Sequence, residues 1–151
     1  MRNLPLLVAA LCTAACADRQ APVLERVEIG VPGMKIAIDG RGQGRFERNA
    51  LARESGEGSF RLSSGQYARL VDRLEPFRRG QDAVSGQEMV ARLNAPCEGE
   101  YITDRGAIYL HWVGPNLDRY YGIDLGCEPE RNAKRNAELR AIVKSLPVPG
   151  A

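Results

Sequence analysis

Apolar residues alternate with polar or small residues along residues 23–62, and this alternation limits the fold more than any other feature of the chain. They occupy every second position in two successive runs, Val27, Ile29 and Val31, then Met34, Ile36 and Ile38. A period of two is typical of strands that bury one face. Pro32-Gly33 and the glycine-rich residues 39–44 are typical of the turns between such strands. The segment therefore predicts an antiparallel meander, with Phe46 and Phe60 in its third and fourth strands.

The pattern changes to a helical period at Ser63. Ser63 and Gln66 have the spacing of a capping box, in which each side chain accepts a hydrogen bond from the other residue's backbone N–H. Apolar residues then fall three and four positions apart, at Tyr67, Leu70, Val71 and Leu74. This spacing predicts an amphipathic helix that ends near Pro76, because proline has no backbone N–H to donate.

A second block of strands and a second amphipathic helix follow Cys97. The strand block alternates through residues 108–112, turns at Gly114-Pro115-Asn116 and continues to Leu125. Pro129-Glu130 is typical of a helix start, and the helix buries a stripe formed by Leu139, Ile142, Val143 and Leu146. Ser85 to Glu88 also has capping-box spacing, which indicates a further short helix. The expected fold class is α+β, an antiparallel sheet of five to six strands with two amphipathic helices packed on one face.

The N-terminus has the order of a secretory signal: a positive charge at Arg2, an apolar run and then small residues before Cys16. A cysteine at the cleavage point indicates a lipoprotein signal, in which the Cys16 thiol is acylated and becomes the new N-terminus. The run is too short to span a bilayer. Ala15-Cys16-Ala17 also fits ordinary signal peptidase, which would release a soluble periplasmic protein beginning at Asp18. Lipid anchoring in the bacterial cell envelope, facing the periplasm and with the outer membrane favoured, is the expected location.

These signals divide the chain into a signal peptide (1–15), a lipid-anchored spacer (16–22), one α+β domain (23–147) and a C-terminal tail (148–151). The domain has an ordinary size, and a hydrophobic content of 44% is enough for a core. Basic and acidic side chains nearly balance, at 21 and 19. A nucleic-acid-binding protein usually carries a basic excess, so nucleic acid is not an expected partner.

Cys97 and Cys127 are the cysteines that remain in the folded body. An even pair in an exported protein predicts a disulfide. The two residues lie far apart in sequence, unlike a redox-active Cys-x-x-Cys pair, and the chain has one histidine to offer a metal. We expect neither a metal nor any other cofactor.

The single histidine, His111, restricts the catalytic chemistry available to the chain. A serine or cysteine nucleophile would need His111 as its base and a carboxylate such as Asp104 or Asp124 to orient the ring. The sequence contains no Gly-x-Ser-x-Gly turn of the kind that holds a nucleophilic serine. We assign no catalytic residue on this basis.

Aromatic residues are concentrated in the second strand block. If Tyr109, His111 and Tyr120 share the sheet face opposite the helices, they form an amphipathic binding surface for a peptide or a glycan. The alternative is that some of these rings complete the core.

The chain resembles an uncharacterised family of small bacterial envelope domains over nearly all of its mature length. The resemblance rests on these segments: Arg45-Phe46, residues 58–67, residues 74–78, Cys97, Thr103-Asp104, His111-Trp112 and residues 121–127. Members often carry two further cysteines where this chain has residues 30–34, so chemistry that depends on that pair is not expected here. The resemblance implies the α+β architecture and the Cys97–Cys127 pairing, and it implies no activity.

Two functions follow as hypotheses. The first is a lipid-anchored envelope domain that binds or scaffolds without catalysis, with the membrane and an envelope protein or glycan as partners. The alternative is a small envelope hydrolase or inhibitor-like module that uses His111. Convergence of His111, Asp104 and a serine in one pocket would favour the hydrolase.

Overall fold

A computed structural model describes residues 24–49 and 55–149. The expected signal peptide, Cys16 and the spacer lie outside the described residues. The elements follow in the order β1 (Arg26–Val31), β2 (Met34–Asp39), β3 (Gln43–Arg48), β4 (Gly56–Arg61), α1 (Ser64–Arg79), α2 (Gly86–Asn94), β5 (Ala107–Gly114), β6 (Leu117–Asp124) and α3 (Ala133–Lys144).

The six strands form one antiparallel sheet in the order β4-β3-β2-β1-β5-β6. The α+β class expected from the sequence is therefore confirmed. Strands β1 to β4 form the predicted meander, and β5–β6 form a hairpin. The hairpin joins the meander through β1, so the first of the described strands lies in the interior of the sheet.

The core lies between one face of the sheet and helices α1 and α3. Val27, Ile36, Leu110 and Trp112 are almost completely buried on this face. Alternate residues of a strand point to opposite sides, so the period-two pattern of the sequence becomes one continuous apolar surface. The helices cover this surface with residues of the same core cluster: Leu70 and Leu74 from α1, and Leu139, Ile142 and Val143 from α3.

Helix α1 begins as predicted and continues beyond the predicted stop. Ser63 is the N-cap, and the reciprocal bonds with Gln66 are both present. Pro76 lies inside the helix, which ends at Arg79, so the prediction of an end near Pro76 is wrong. Proline removes one N–H and strains the preceding turn. In the last turn Glu75 pairs with both Arg78 and Arg79, and the Phe77 ring packs against Tyr121. These contacts hold the backbone in helical form past the proline.

Helix α3 begins later than the sequence indicated. Residues 129–132 form turns, and the helix starts at Ala133 rather than near Pro129-Glu130. Glu128 has a positive φ of 45°, and it redirects the chain immediately after Cys127. At the other end, Val148 is buried in the core cluster although the sequence placed it in the C-terminal tail.

A disulfide joins Cys97 and Cys127, with 5.6 Å between their Cα atoms, so the expected pairing is present. Cys97 precedes β5, and Cys127 follows β6. An isolated antiparallel β-bridge between Tyr101 and Cys127 lies beside the disulfide. The disulfide therefore ties together the two ends of the β5–β6 hairpin.

Helix α2, the short helix indicated by Ser85, packs on the face of the sheet opposite α1 and α3. Its side chains lie over Gly122 of β6, where a Cβ atom would come within 2.8 Å of the Met89 side chain. Tyr121 and Ile123, the neighbours of Gly122 in β6, point the other way, into the core. Gly122 has no side chain, and this lets the helix approach the sheet closely.

Candidate functional site

The sheet face opposite α1 and α3 is divided into a covered and an open part. Helix α2 covers β6, whereas no described element covers β1 to β4 on this side. The register places polar side chains in rows across the strands, because directly opposed residues share a face. One row contains Ser59, Arg45, Ala37, Glu28, His111 and Tyr120.

His111 lies at the boundary between the two parts. Its Nε2 is 2.7 Å from Asp118 Oδ1, and its Nδ1 is 3.5 Å from Glu28 Oε2. Its ring stacks on Tyr120, with 3.7 Å between the ring centroids and 10° between the planes. The cross-strand pairing of His111 with both Glu28 and Tyr120 explains these contacts. The histidine is therefore held in one orientation between two carboxylates.

Glu28 is a mostly buried carboxylate that bonds to three groups. Its oxygens lie 3.0 Å from Arg26 Nε and 3.1 Å from Lys35 Nζ, and its side chain is 13% exposed. Burial alone would raise the pKa of Glu28, but Lys35, Arg26 and His111 together outweigh burial and lower the pKa. The hydrogen bond to Glu28 correspondingly raises the pKa of Lys35. Both groups stay charged at neutral pH and form an ionic cluster on the sheet.

Tyr109 and Tyr120 border this cluster as half-buried rings. The ring of Tyr109 lies over Gly30, its cross-strand partner, at a place where a Cβ atom would come within 1.8 Å of Tyr109 Cε1. Tyr120 packs against Gly86 at the start of α2. Burial, together with the negative charges of Asp118 and Glu28, raises the pKa of Tyr120. The Tyr120 phenol therefore keeps its proton at neutral pH.

The open part of the face forms a shallow groove of about 620 Å³. We call it the β1–β4 groove. Its charged lining residues are Arg26, Lys35 and Arg45, together with Glu28, Glu47 and Glu57. Lys35 is directly opposite Glu47, and Glu47 is directly opposite Glu57. Because Lys35 bonds to Glu28 instead, the two glutamates face each other as like charges across β3 and β4.

The structure places each residue of the expected binding surface on the same face. Tyr109, His111 and Tyr120 lie on the face opposite α1 and α3, while Trp112 and Tyr121 belong to the core. These three residues are half-buried, and the β1–β4 groove beside them is open.

The carboxylates expected to orient His111 do not bond to it. Asp118 and Glu28 occupy that position, whereas Asp124 accepts a hydrogen bond from the Gly126 N–H and Asp104 lies in the turn before β5. Within residues 24–49 and 55–149, no serine or cysteine is among the hydrogen-bond partners of His111. The convergence that would favour a hydrolase is not present in this part of the chain.

Sequence reasoning missed Glu28 and Asp118 as partners of His111, and it missed Lys35 as a partner of Glu28. Of these contacts, only the one between His111 and Asp118 could have been predicted from the turn at residues 114–116. A two-residue hairpin loop sets which residues of β5 and β6 face each other, and it therefore places Asp118 near His111. The pairing of β1 with β5 joins segments that are far apart in the chain, and no local pattern indicates it.

Comparisons with protein-family models, curated proteins and solved structures found no match for this chain. No group of three or more histidine, cysteine, aspartate or glutamate side chains is arranged to hold a metal ion among the described residues. In the same part of the chain, no helix has both the length and the apolar character needed to cross a membrane.

Proposed function

We propose that this protein is a lipid-anchored domain of the bacterial cell envelope that binds a protein partner through the β1–β4 groove, without catalysis. The observation that carries the proposal is the groove itself, an open sheet face lined by three cationic and three anionic side chains. Three of the six, Arg26, Lys35 and Glu28, belong to the ionic cluster. Cys16 supplies the anchor, and the outer membrane is the favoured location.

The charges of the groove favour a protein partner over a glycan. Glycan sites commonly stack sugar rings on exposed aromatic faces. The one aromatic residue in the described lining of the groove is Phe46, and its ring lies against Gly58 and under Arg48. The nearby Tyr120 ring is occupied by its stack with His111. Alternating cations and anions fit a polypeptide surface of mixed charge, because complementary charges select a partner and align it.

Arg45 offers the most direct test, because it lines the groove at an exposed position and forms no ion pair with any described residue. We expect Arg45→Glu to reduce recovery of a specific envelope partner by about tenfold, since one attraction is replaced by a repulsion. Arg140→Glu is the matched control, with the same charge change on an exposed position of α3.

The experiment crosslinks the wild-type and variant chains in intact cells and quantifies each captured envelope protein. A partner that is lost with Arg45→Glu and kept with Arg140→Glu supports the proposal. Equal capture by both variants would refute a role for the groove. In the same cells, Cys16→Ser should abolish labelling of the protein with palmitate, and a mature form that begins at Asp18 without lipid would refute the anchor.

A further inference from the structure

The two edges of the sheet are protected differently. At β6, the backbone of Val84 forms hydrogen bonds with Tyr120 in both directions, at 2.7 and 2.8 Å. At the other edge, no strand of the described residues lies beside β4. An unpaired edge offers a row of backbone N–H and C=O groups to another strand.

The ladder between β3 and β4 shows which peptide groups point outward. The Leu62 N–H donates to the Gly42 carbonyl at 2.9 Å, just beyond the end of β4. Residues alternate in direction along an antiparallel strand, so Phe60 and Gly58 also bond inward. The N–H and C=O groups of Glu57, Ser59 and Arg61 therefore point away from the sheet.

We propose that this edge pairs with β4 of a second copy of the chain, antiparallel and about a two-fold axis at Ser59. The proposal goes beyond the binding role of the β1–β4 groove, with which this edge shares Glu57 and Ser59. In this arrangement Ser59 faces the partner's Ser59, and Glu57 faces the partner's Arg61. Each of the three outward-pointing residues then forms a hydrogen-bonded pair, and two six-stranded sheets become one continuous sheet.

Charge selects this register over its neighbours. Glu57 and Arg61 are both exposed, and neither forms an ion pair with a described residue. The two-fold register sets them opposite each other twice, on the same sheet face. A shift of two residues in either direction would instead place each of them opposite a serine: Ser55, Ser59 or Ser63. Opposite charges on directly paired residues stabilise a sheet.

The second copy also compensates an unfavourable contact within the chain. Glu57 is directly opposite Glu47 in β3, and like charges in this position destabilise a strand pair. The partner's Arg61 would lie on the other side of Glu57 and offset this repulsion.

Sedimentation velocity of the full chain carrying Cys16→Ser, so that no lipid drives association, tests the proposal. We expect a monomer–dimer equilibrium whose dissociation constant increases tenfold or more with either Glu57→Arg or Arg61→Glu. The combined Glu57→Arg, Arg61→Glu variant should restore the dimer. Arg140→Glu should leave the equilibrium unchanged. Glu57→Arg places a cation opposite Glu47, so the monomer should unfold at no lower urea concentration than wild type.

A crosslink checks the register. Ser59→Cys should form an intermolecular disulfide on oxidation, because the two Cα atoms of a hydrogen-bonded pair are about 5.5 Å apart. Arg45→Cys is the control, since it lies one strand further from the edge, directly opposite Ser59 in β3. A chain that stays monomeric, a dimer unaffected by both charge reversals, or equal crosslinking of the two cysteine variants would overturn the proposal. If β4 instead accepts a strand of a different protein, the purified chain alone stays monomeric.

Discussion

Replacement of Glu28 by glutamine tests whether the ionic cluster on the sheet stabilises the fold. Glutamine keeps the size of the side chain and one carbonyl oxygen, but it removes the negative charge. The charge is shared among Arg26 Nε at 3.0 Å, Lys35 Nζ at 3.1 Å and His111 Nδ1 at 3.5 Å. Glu28→Gln therefore changes the electrostatics of the cluster while the packing on β1 stays nearly the same.

The expected loss is about 1–2 kcal/mol of unfolding free energy at neutral pH. A hydrogen bond to a charged group contributes about 1.5–3 kcal/mol when it is well buried. The side chains of Arg26 and Lys35 are 48% and 51% exposed, so water screens their charges. This screening reduces the free energy that each ion pair contributes toward that of a surface ion pair. Because the Glu28 carboxylate itself is mostly buried, the expected loss of unfolding free energy stays above that of a single surface ion pair.

The pH dependence separates this charge effect from a packing defect. The folded-state pKa of Glu28 is lowered from its ordinary value of 4.5, so its contribution is fully present above that value. The contribution is lost as the pH falls through the folded-state pKa, because the carboxyl then takes up a proton. The difference between wild type and Glu28→Gln should therefore narrow at acid pH.

Urea denaturation at a series of pH values measures this difference. Glu47→Gln is the control, because it removes a carboxylate that faces another carboxylate, and it should be neutral or slightly stabilising. Equal stability of wild type and Glu28→Gln at neutral pH would contradict the reasoning. So would a loss that is the same at every pH, since it would have to arise from packing.

Two further changes test the parts of the fold that position this face. Replacement of both Cys97 and Cys127 by serine should lower the free energy of unfolding by about 3–4 kcal/mol, the value that the loop-entropy model gives for a sequence separation of 30. Urea denaturation of the variant and of oxidised wild type measures this loss. A loss below about 1 kcal/mol would show that the hairpin ends hold together without the disulfide. Gly122→Val should displace α2, because a Cβ atom at this position would come within 2.8 Å of the Met89 side chain. Amide hydrogen exchange should then increase in residues 86–94 but not in α1. Unchanged exchange in α2 would refute the close contact.

Features of the sequence that act over a few residues predicted most of the fold. The alternation around Ile29 and Ile36, the capping box at Ser63 and the turn at residues 114–116 each involve neighbours in the chain, and each is present in the structure. The predicted end of α1 and the predicted start of α3 were wrong because tertiary contacts decide where these helices end and begin. Phe77 packs on Tyr121 past Pro76, and the disulfide with the Glu128 turn delays the start of α3.

The candidate site could be predicted only in part, because it forms where two locally encoded units join. His111 and Tyr120 belong to the β5–β6 hairpin, and Lys35 belongs to the meander. Glu28 connects them only because β1 pairs with β2 on one side and with β5 on the other. Other segments of the chain alternate in the same way as β1, so no local pattern shows that Glu28 and Lys35 lie beside His111.

The division of this face into a covered and an open part has a local chemical cause. Helix α2 needs an apolar and closely approachable surface for Met89, and β6 provides it at Gly122. Strands β2 and β3 present Lys35, Arg45 and Glu47 in the equivalent outward positions. A helix over them would also meet Glu57 of β4. A helix packed on those strands would have to remove these charges from water, at a cost that its apolar contacts would not offset. The open part is thus a solvated surface rather than a core face that lacks its cover, and this supports the binding role that we propose for it.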